Sequence, residues 1–317
     1  MNYLTFKELA EEWLHYKKNL VKESTYCNYA IQLKNHIIPL FGNMNCSMIT
    51  SDILNQKMSQ WFENNRLQGN MPLSDKTARD ITLIFKLCLN YGMQKNYIPN
   101  QKINLVIPVC KNRTVAAQTY TIREQQIIVN AILSNLTNKS NGILISLYTG
   151  IRIGELCALR WSDIDLENRT IIISKTLQRL YFKEEIEEKH TKISITSPKT
   201  CNSIREVPIS SKLTQTLIKL HANNPNTYVL TNTEKYIEPR TYRNFYSQFM
   251  DSLDIRKLNF HCLRHTFATR CIECGADYKT VSEILGHANV NITMNLYVHP
   301  SIEQKRKCVE LIDRINK

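Results

Sequence analysis

Apolar residues recur at helical intervals through the first hundred positions. Leu9, Trp13 and Tyr16 follow one another three or four apart, behind a TFKE stretch (5–8) in which Thr5 and Glu8 have capping-box spacing. A second helical run, STYCNYAIQLKNHI, is expected to stop near Pro39 and Gly42, since proline lacks the N–H that a helix interior needs. A third run contains ITSDILNQKMSQWF. A fourth, the longest, covers SDKTARDITLIFKLCLNYGMQKN and ends before Pro99. Residues 1–106 are therefore expected to fold as an all-α bundle with its own core.

The stretch 107–118, IPVCKNRTVAAQ, has no clear period and carries Pro, Lys and Arg, as a basic interdomain linker does. TIRE (121–124) then repeats the capping-box spacing, and helices are expected over 122–136 and 142–148. RTIIISKTLQRLYF, ISITSPK and SIREVPI follow, rich in β-branched residues and separated by polar turns, the composition of a small antiparallel sheet. The charged piece KEEIEEKHTK (183–192) reads as an exposed hairpin tip, longer than a simple turn requires, and from 211 onward the helical pattern returns. Residues 119–317 are thus expected to form a second, mixed α+β domain, mainly helical with a small antiparallel sheet.

Composition narrows the class. With 317 residues, 43% hydrophobic and 22% charged, the chain is that of a soluble two-domain protein. No apolar run reaches membrane-span length and MNYLTFKELAEEW lacks a signal-peptide core, so a cytoplasmic protein without membrane partners is expected. The ten cysteines are scattered, mostly through apolar segments, which suits reduced thiols better than a disulfide framework. Net charge is +13, divided as +6 in residues 1–118 and +7 in 119–317. Both parts being basic points towards a polyanion, and nucleic acid above all.

The stretch HCLRHTFATRCIEC (261–274) has the residues of a zinc site, with His261, His265, Cys271 and Cys274. Spacing argues against one. On a single helix, His261 and Cys274 would lie roughly 20 Å apart, too far to share an ion. Position 262 is Cys, where the metalloprotease pattern has Glu. Arg264 stands between the histidines, and a guanidinium repels a dication. The same spacing suits an anion. His261 and Arg264 are three apart, on one face of one turn, and together offer the donors that a phosphate oxygen accepts. No metal, nucleotide or other cofactor is signalled: there is neither a Walker loop nor a carboxylate cluster for magnesium.

Other polar residues accompany this pair in a fixed order. TGIRIGEL places Arg152 at a helix start and Glu155 one turn on; SPKTCNS presents Lys199 in a strand turn; Asp277 opens a helix that Gly286 closes; His287 follows, and a short helix capped by Asn291 carries Tyr297. This ordered set resembles the tyrosine recombinases, the phage integrase family, and LGHANVNITMNLYVH is most similar to integrases of conjugative transposons and temperate phages of Gram-positive bacteria. Any one of the motifs is weak, whereas the whole set in order is specific, and the likeness covers nearly the whole chain, with the first domain similar to a core-binding, DNA-binding domain.

The resemblance implies a site-specific DNA recombinase that works without metal or ATP. Tyr297 would be the nucleophile, forming a 3′-phosphotyrosyl bond and releasing a 5′-hydroxyl. Arg152 and Arg264 would clamp the phosphate oxygens, with His261 as a further donor. Lys199 would be the general acid, with Lys192 and Lys175 as alternatives in that region. His287 would serve either as a phosphate donor or as a proton acceptor near Tyr297. Glu155 would hold cationic residues in place, and His265 would pack behind the site. The implied partners are double-stranded DNA and three further copies, a homotetramer on two duplexes exchanging strands through a Holliday junction. A monomer is the candidate free state; an excisionase or a host DNA-bending protein is a candidate auxiliary. Val309, Leu311, Ile312 and Ile315 give the tail near-helical spacing, for docking on a neighbouring subunit or on its own domain. The chain starts at the core-binding helices, so the arm-binding domain of many integrases is not expected. Competing readings are a chromosome-dimer-resolving recombinase, a type IB topoisomerase-like enzyme and a non-enzymatic DNA-binding relative.

Overall fold

The computed structural model describes residues 4–67, 75–100, 102–105, 118–181, 191–196, 204–287, 289–297 and Arg306. The expected linker, all but its last residue, the KEEIEEKHTK tip up to position 190, Lys199 and the tail hydrophobics fall outside them. The chain divides into two compact units, one of residues 1–114 with 180–192, the other of 115–179 with 193–317.

In the first unit, α1 (Phe6–Lys17) starts on a complete capping box: the Glu8 N–H donates to Thr5 Oγ1 at 3.3 Å and the Thr5 N–H to Glu8 Oε2 at 2.8 Å. Its buried face is Phe6, Leu9, Ala10 and Trp13. The second helical run stops where expected, at Phe41 beside Gly42, and passes through Pro39 on the way. α2 (Glu23–Gln32) passes through a π turn (Leu33–Ile37) into α3 (Ile38–Phe41). In that turn the Ile38 N–H reaches back to Leu33 O, and Pro39 falls in the first turn of α3, where no intrahelical N–H is needed. α4 (Ser51–Leu67) and α5 (Asp75–Gln94) complete the unit's longer helices. Phe85 of α5 stacks on Phe41, ring centroids 4.4 Å apart, and meets Phe6 edge-on at 5.1 Å. Burying each such ring contributes about 1.5–3 kcal/mol.

In the second unit, α6 (Ile122–Ser134) starts on the Thr121/Glu124 capping box. α7 (Asn138–Thr149) begins earlier than its apolar pattern indicates, because Thr137 and Ser140 cap it reciprocally. Buried nearly all round, α7 is the central helix. Its inward Asn141 accepts a hydrogen bond from Thr216 Oγ1 at 3.0 Å. α8 (Ile153–Ala158) follows.

The β-rich runs distribute over two small sheets. β1 (Ile164–Asp165), β2 (Thr170–Ile173) and β5 (Arg205–Pro208) pair antiparallel in the order β1-β2-β5. β3 (Thr176–Tyr181) and β4 (Thr191–Thr196) form a separate two-stranded sheet. RTIIISKTLQRLYF therefore breaks at Ser174-Lys175, and its halves find different partners. The remaining helices are α9 (Ser211–Leu220), α10 (Pro239–Asp251), α11 (His261–Glu273), α12 (Tyr278–Leu285) and α13 (Val290–Tyr297). Asp277 caps α12 by accepting from the Thr280 N–H at 2.8 Å. The side chain that caps α13 is Asn289, not Asn291: its Oδ1 accepts from the Asn291 N–H at 2.9 Å. The expected cap position thus lies one residue inside the helix. Among the described residues, no helix is long and apolar enough to cross a membrane.

Candidate active site

The site forms around the C-terminal end of α12. The last carbonyls of any helix lack intrahelical partners and carry the negative end of its dipole. Here three successive carbonyls each receive a guanidinium. Arg205 Nε donates to Ile284 O at 2.6 Å, Arg264 Nη2 to Leu285 O at 2.8 Å, and Arg152 Nη2 to Gly286 O at 3.2 Å. Gly286, at φ +66°, ends the helix in the left-handed region. A Cβ there would lie 3.0 Å from Arg205 Cδ, so a side chain would press on the cluster.

Each arginine is aimed by its own element. Gly150, at φ +67°, ends α7 and turns the chain so that Arg152 becomes the N-cap of α8. The Arg152 N–H donates to Glu155 Oε2 at 2.8 Å and its Nη1 to Glu155 Oε1 at 2.9 Å. Arg264, buried on α11, donates from Nη1 to Gly150 O at 2.9 Å, so it ties the α7 end to the α12 end. Arg205, on β5, grips both oxygens of Glu155 at 3.2 and 3.0 Å.

Glu155 is 4% exposed and lies between two of these cations. Burial raises its pKa, but the hydrogen bonds and charge of Arg205, the charge of Arg152 and the Arg152 N–H outweigh it, and the net shift is downward. Among the described residues, the cluster sets Arg152, Arg205 and Arg264 around the Glu155 carboxylate, an arrangement rich in positive charge. Arg152 keeps its side chain 36% exposed, and two of the five N–H groups of its guanidinium are taken up by Glu155 and Gly286.

The histidines register the same field. His287 follows Gly286, its N–H donating to Ser282 O at 3.0 Å and its Nδ1 lying 2.8 Å from Thr293 Oγ1. Lost hydration, then Arg264, Arg152, Arg205 and His261, hold its pKa down to about 3. His261, the first residue of α11, is exposed as a whole, yet its inner side is crowded. Desolvation there, then His265, Arg264 and Arg152, bring its pKa to about 4. The His261 and His265 rings meet edge-on, centroids 4.7 Å apart. Both site histidines are thus neutral at ordinary pH, each with one N–H to give. A cation-rich site with neutral imidazole donors suits an anion with several oxygens, such as a phosphodiester.

Of the residues singled out from the sequence, Arg152, Glu155, His261, Arg264 and His287 come together here. Tyr297 is placed by its backbone as the last residue of α13, three turns of chain beyond His287; its side chain lies outside the described atoms. Lys199 lies outside the described residues. Of its alternatives, Lys175 pairs with Asp163 at 3.1 Å, and Lys192 with Glu23 at 3.7 Å within the first unit. Cys271 is half-buried and Cys274 exposed at the end of α11.

Arg205 is not among the residues singled out from the sequence. A signal for it exists: in SIREVPI, period-two alternation puts Arg205 on the face of Val207 and Ile209, both buried. An arginine on the core face of a strand needs a buried anionic partner.

Residues 120–304 match the family model of the phage integrases, and residues 5–62 that of the phage integrase N-terminal SAM-like domain. A XerC-like tyrosine recombinase of Caldanaerobacter subterraneus subsp. tengcongensis is 28% identical, over 98% of this chain and 83% of its own length. The integrase of Staphylococcus phage L54a is 25% identical over 98% and 93%. Among solved structures, the Tn1549 transposon integrase in complex with transposon right-end DNA shares the fold. Its TM-score is 0.74 at 20% identity, covering 98% of this chain and all of that one.

Proposed function

The chain belongs to the phage integrase family, the tyrosine recombinases, and on that footing we propose a residue-by-residue mechanism for a DNA strand transferase that serves a mobile element. Tyr297 attacks the scissile phosphorus through its phenolic oxygen, and its phenolic proton passes to solvent water. The bond to the 5′-oxygen breaks, and a 3′-phosphotyrosyl link conserves the phosphodiester for rejoining. Lys199 gives the departing 5′-oxygen its proton. Arg152 and Arg264 bind the non-bridging oxygens as charge builds on them, and His261 and His287 supply further contacts. Glu155 acts through Arg152, not on DNA, since a carboxylate facing a phosphate is repulsive.

The observation that carries this reading is the set of three guanidiniums seated on successive carbonyls at 284–286, in the helical segment that leads to Tyr297. The cations are oriented before any substrate arrives, so little reorganisation is left for the reaction.

Residues 1–106 serve as the DNA-gripping domain, 107–118 as the linker and 119–317 as the catalytic domain. The working assembly is a homotetramer on two duplexes in the cytoplasm, with an excisionase or a host DNA-bending protein as auxiliary. The Tn1549 integrase, a fold neighbour, was itself solved on transposon-end DNA.

Covalent trapping tests the reading. The protein and a Tyr297→Phe variant are mixed, in excess EDTA, with nicked duplexes tiled across the ends of the element that encodes the gene, then run on denaturing gels. The expected outcome is a DNA-linked band for the natural protein and none for the variant. A band that persists in the variant removes Tyr297 as nucleophile. DNA binding on a native gel without any linked band favours a binding-only protein.

A further inference from the structure

Thr293 is fully buried on α13, and its Oγ1 sits 2.8 Å from His287 Nδ1. Threonines inside helices usually turn the hydroxyl back onto the carbonyl four residues earlier. Thr82, Thr214 and Thr266 do so here, at 2.8, 3.0 and 2.8 Å. Thr293 reaches out to His287 instead. Among the described residues, its hydroxyl makes no other hydrogen bond.

We propose that Thr293 is a positioning residue, whose hydroxyl donates to His287 Nδ1 and so holds the imidazole as the Nε2–H tautomer, a hydrogen-bond donor to the phosphate. A buried hydroxyl proton with no acceptor costs about 1–3 kcal/mol, so the Thr293 O–H points at Nδ1. Nδ1 then presents its lone pair, and a neutral ring carries its proton on Nε2, at the opposite edge. Burial keeps the ring uncharged, and the groups around His287 that add to this are Arg264, Arg152, Arg205 and His261, all cationic or neutral. Of the two roles that the sequence left open for His287, the bond selects donor over proton acceptor. It also sets the rotation of α13. Thr293 lies four residues before Tyr297 on that helix, so the contact that fixes the tautomer also anchors the segment bearing Tyr297.

The phosphate as ligand rests on the proposed recombinase reading, whereas the tautomer can be read without it. The full chain is labelled with 15N-histidine, and long-range 1H–15N spectra are recorded, with the His287 signals identified by their loss in His287→Gln. The expected result is a protonated Nε2 and a bare Nδ1. Thr293→Val, matched in shape, should populate both tautomers, and Thr293→Ser should restore one. A proton on Nδ1 in the natural protein overturns the proposal, as does an unchanged His287 pattern in Thr293→Val. In trapping assays on a cleaved duplex, Thr293→Val should bind DNA as the natural protein does yet form adduct more slowly, by up to the roughly 100-fold that marks the loss of one donor to a developing charge, with Thr293→Ser recovering most of the rate. Equal adduct rates in Thr293→Val and the natural protein count against it. The expected tautomer with no adduct on any duplex leaves the hydrogen-bond assignment standing and defeats the recombinase reading.

Discussion

Replacing Arg205 by methionine isolates the buried ion pair under the site. Arg205 and Glu155 are 6% and 4% exposed, and the substitution removes both bonds to the carboxylate and the bond to Ile284 O. Among the described residues, Glu155 would keep the Arg152 guanidinium and N–H as ligands. Breaking a buried pair from one side costs about 3–5 kcal/mol. At roughly 2–4 °C per kcal/mol for a unit of this size, Tm should fall by roughly 6–20 °C. The loss should also depend on pH in a fixed direction. In the natural protein the Glu155 pKa is lowered, so its contribution is present above the unfolded carboxylate value and is lost as pH falls through the folded one. Without Arg205, burial dominates and the pKa rises. The folded variant then takes up a proton first and gains relative stability as pH falls. Calorimetric melts at about pH 7.5 and about pH 5 should therefore show the gap between the two proteins narrowing in acid. Arg205→Met/Glu155→Met should recover stability relative to Arg205→Met alone. A gap that is equal at both pH values, or a double variant that loses the sum of the single losses, would refute the coupling.

Gly150→Ala should damage both stability and strand cleavage. Gly150 lies at φ +67°, and a Cβ there would meet Leu285 Cδ2 at 2.6 Å and Phe267 Cδ1 at 2.7 Å. The left-handed backbone alone costs about 1–2 kcal/mol, and the carbonyl that moves is the one holding Arg264. A melt within about 0.5 kcal/mol of the natural protein would sink this expectation. The histidine pKa values of about 4 and about 3 keep His261 and His287 neutral down to about pH 5, so the adduct rate should show no inflection near 6.5. An inflection there that vanishes in His287→Gln would contradict it. The unfolded chain takes up these two protons first. Their share of stability is complete above about 6.5 and is lost as pH falls towards 4 and 3. Urea titrations of His261→Gln should show a weaker acid slope.

Local chemistry was legible from neighbours in sequence. The Thr5/Glu8 and Thr121/Glu124 capping boxes, the Asp277 cap and the Gly286 stop each depend on residues within about four positions of one another, the reach of a helical turn. The stop near Pro39 and Gly42 was legible too, and a single π turn sets Pro39 at a position that tolerates it just before the end. The split of RTIIISKTLQRLYF into two sheets was not legible, because β propensity does not name a strand's partner.

For the site itself, order along the chain identified the chemistry-bearing residues, while convergence belonged to the tertiary structure. Arg264 meets Gly150 across 114 positions, and Arg152 meets Gly286 across 134. Arg205 entered through the register of a three-stranded sheet, and Thr293 through the packing of α13 beside His287. No periodicity encodes such meetings. Which cations and donors the protein carries, and on which elements they ride, follows from the order of residues. That three guanidiniums share the end of one helix follows from the fold. That helix end offers the unsatisfied carbonyls and the negative dipole needed to hold like charges together beside Glu155.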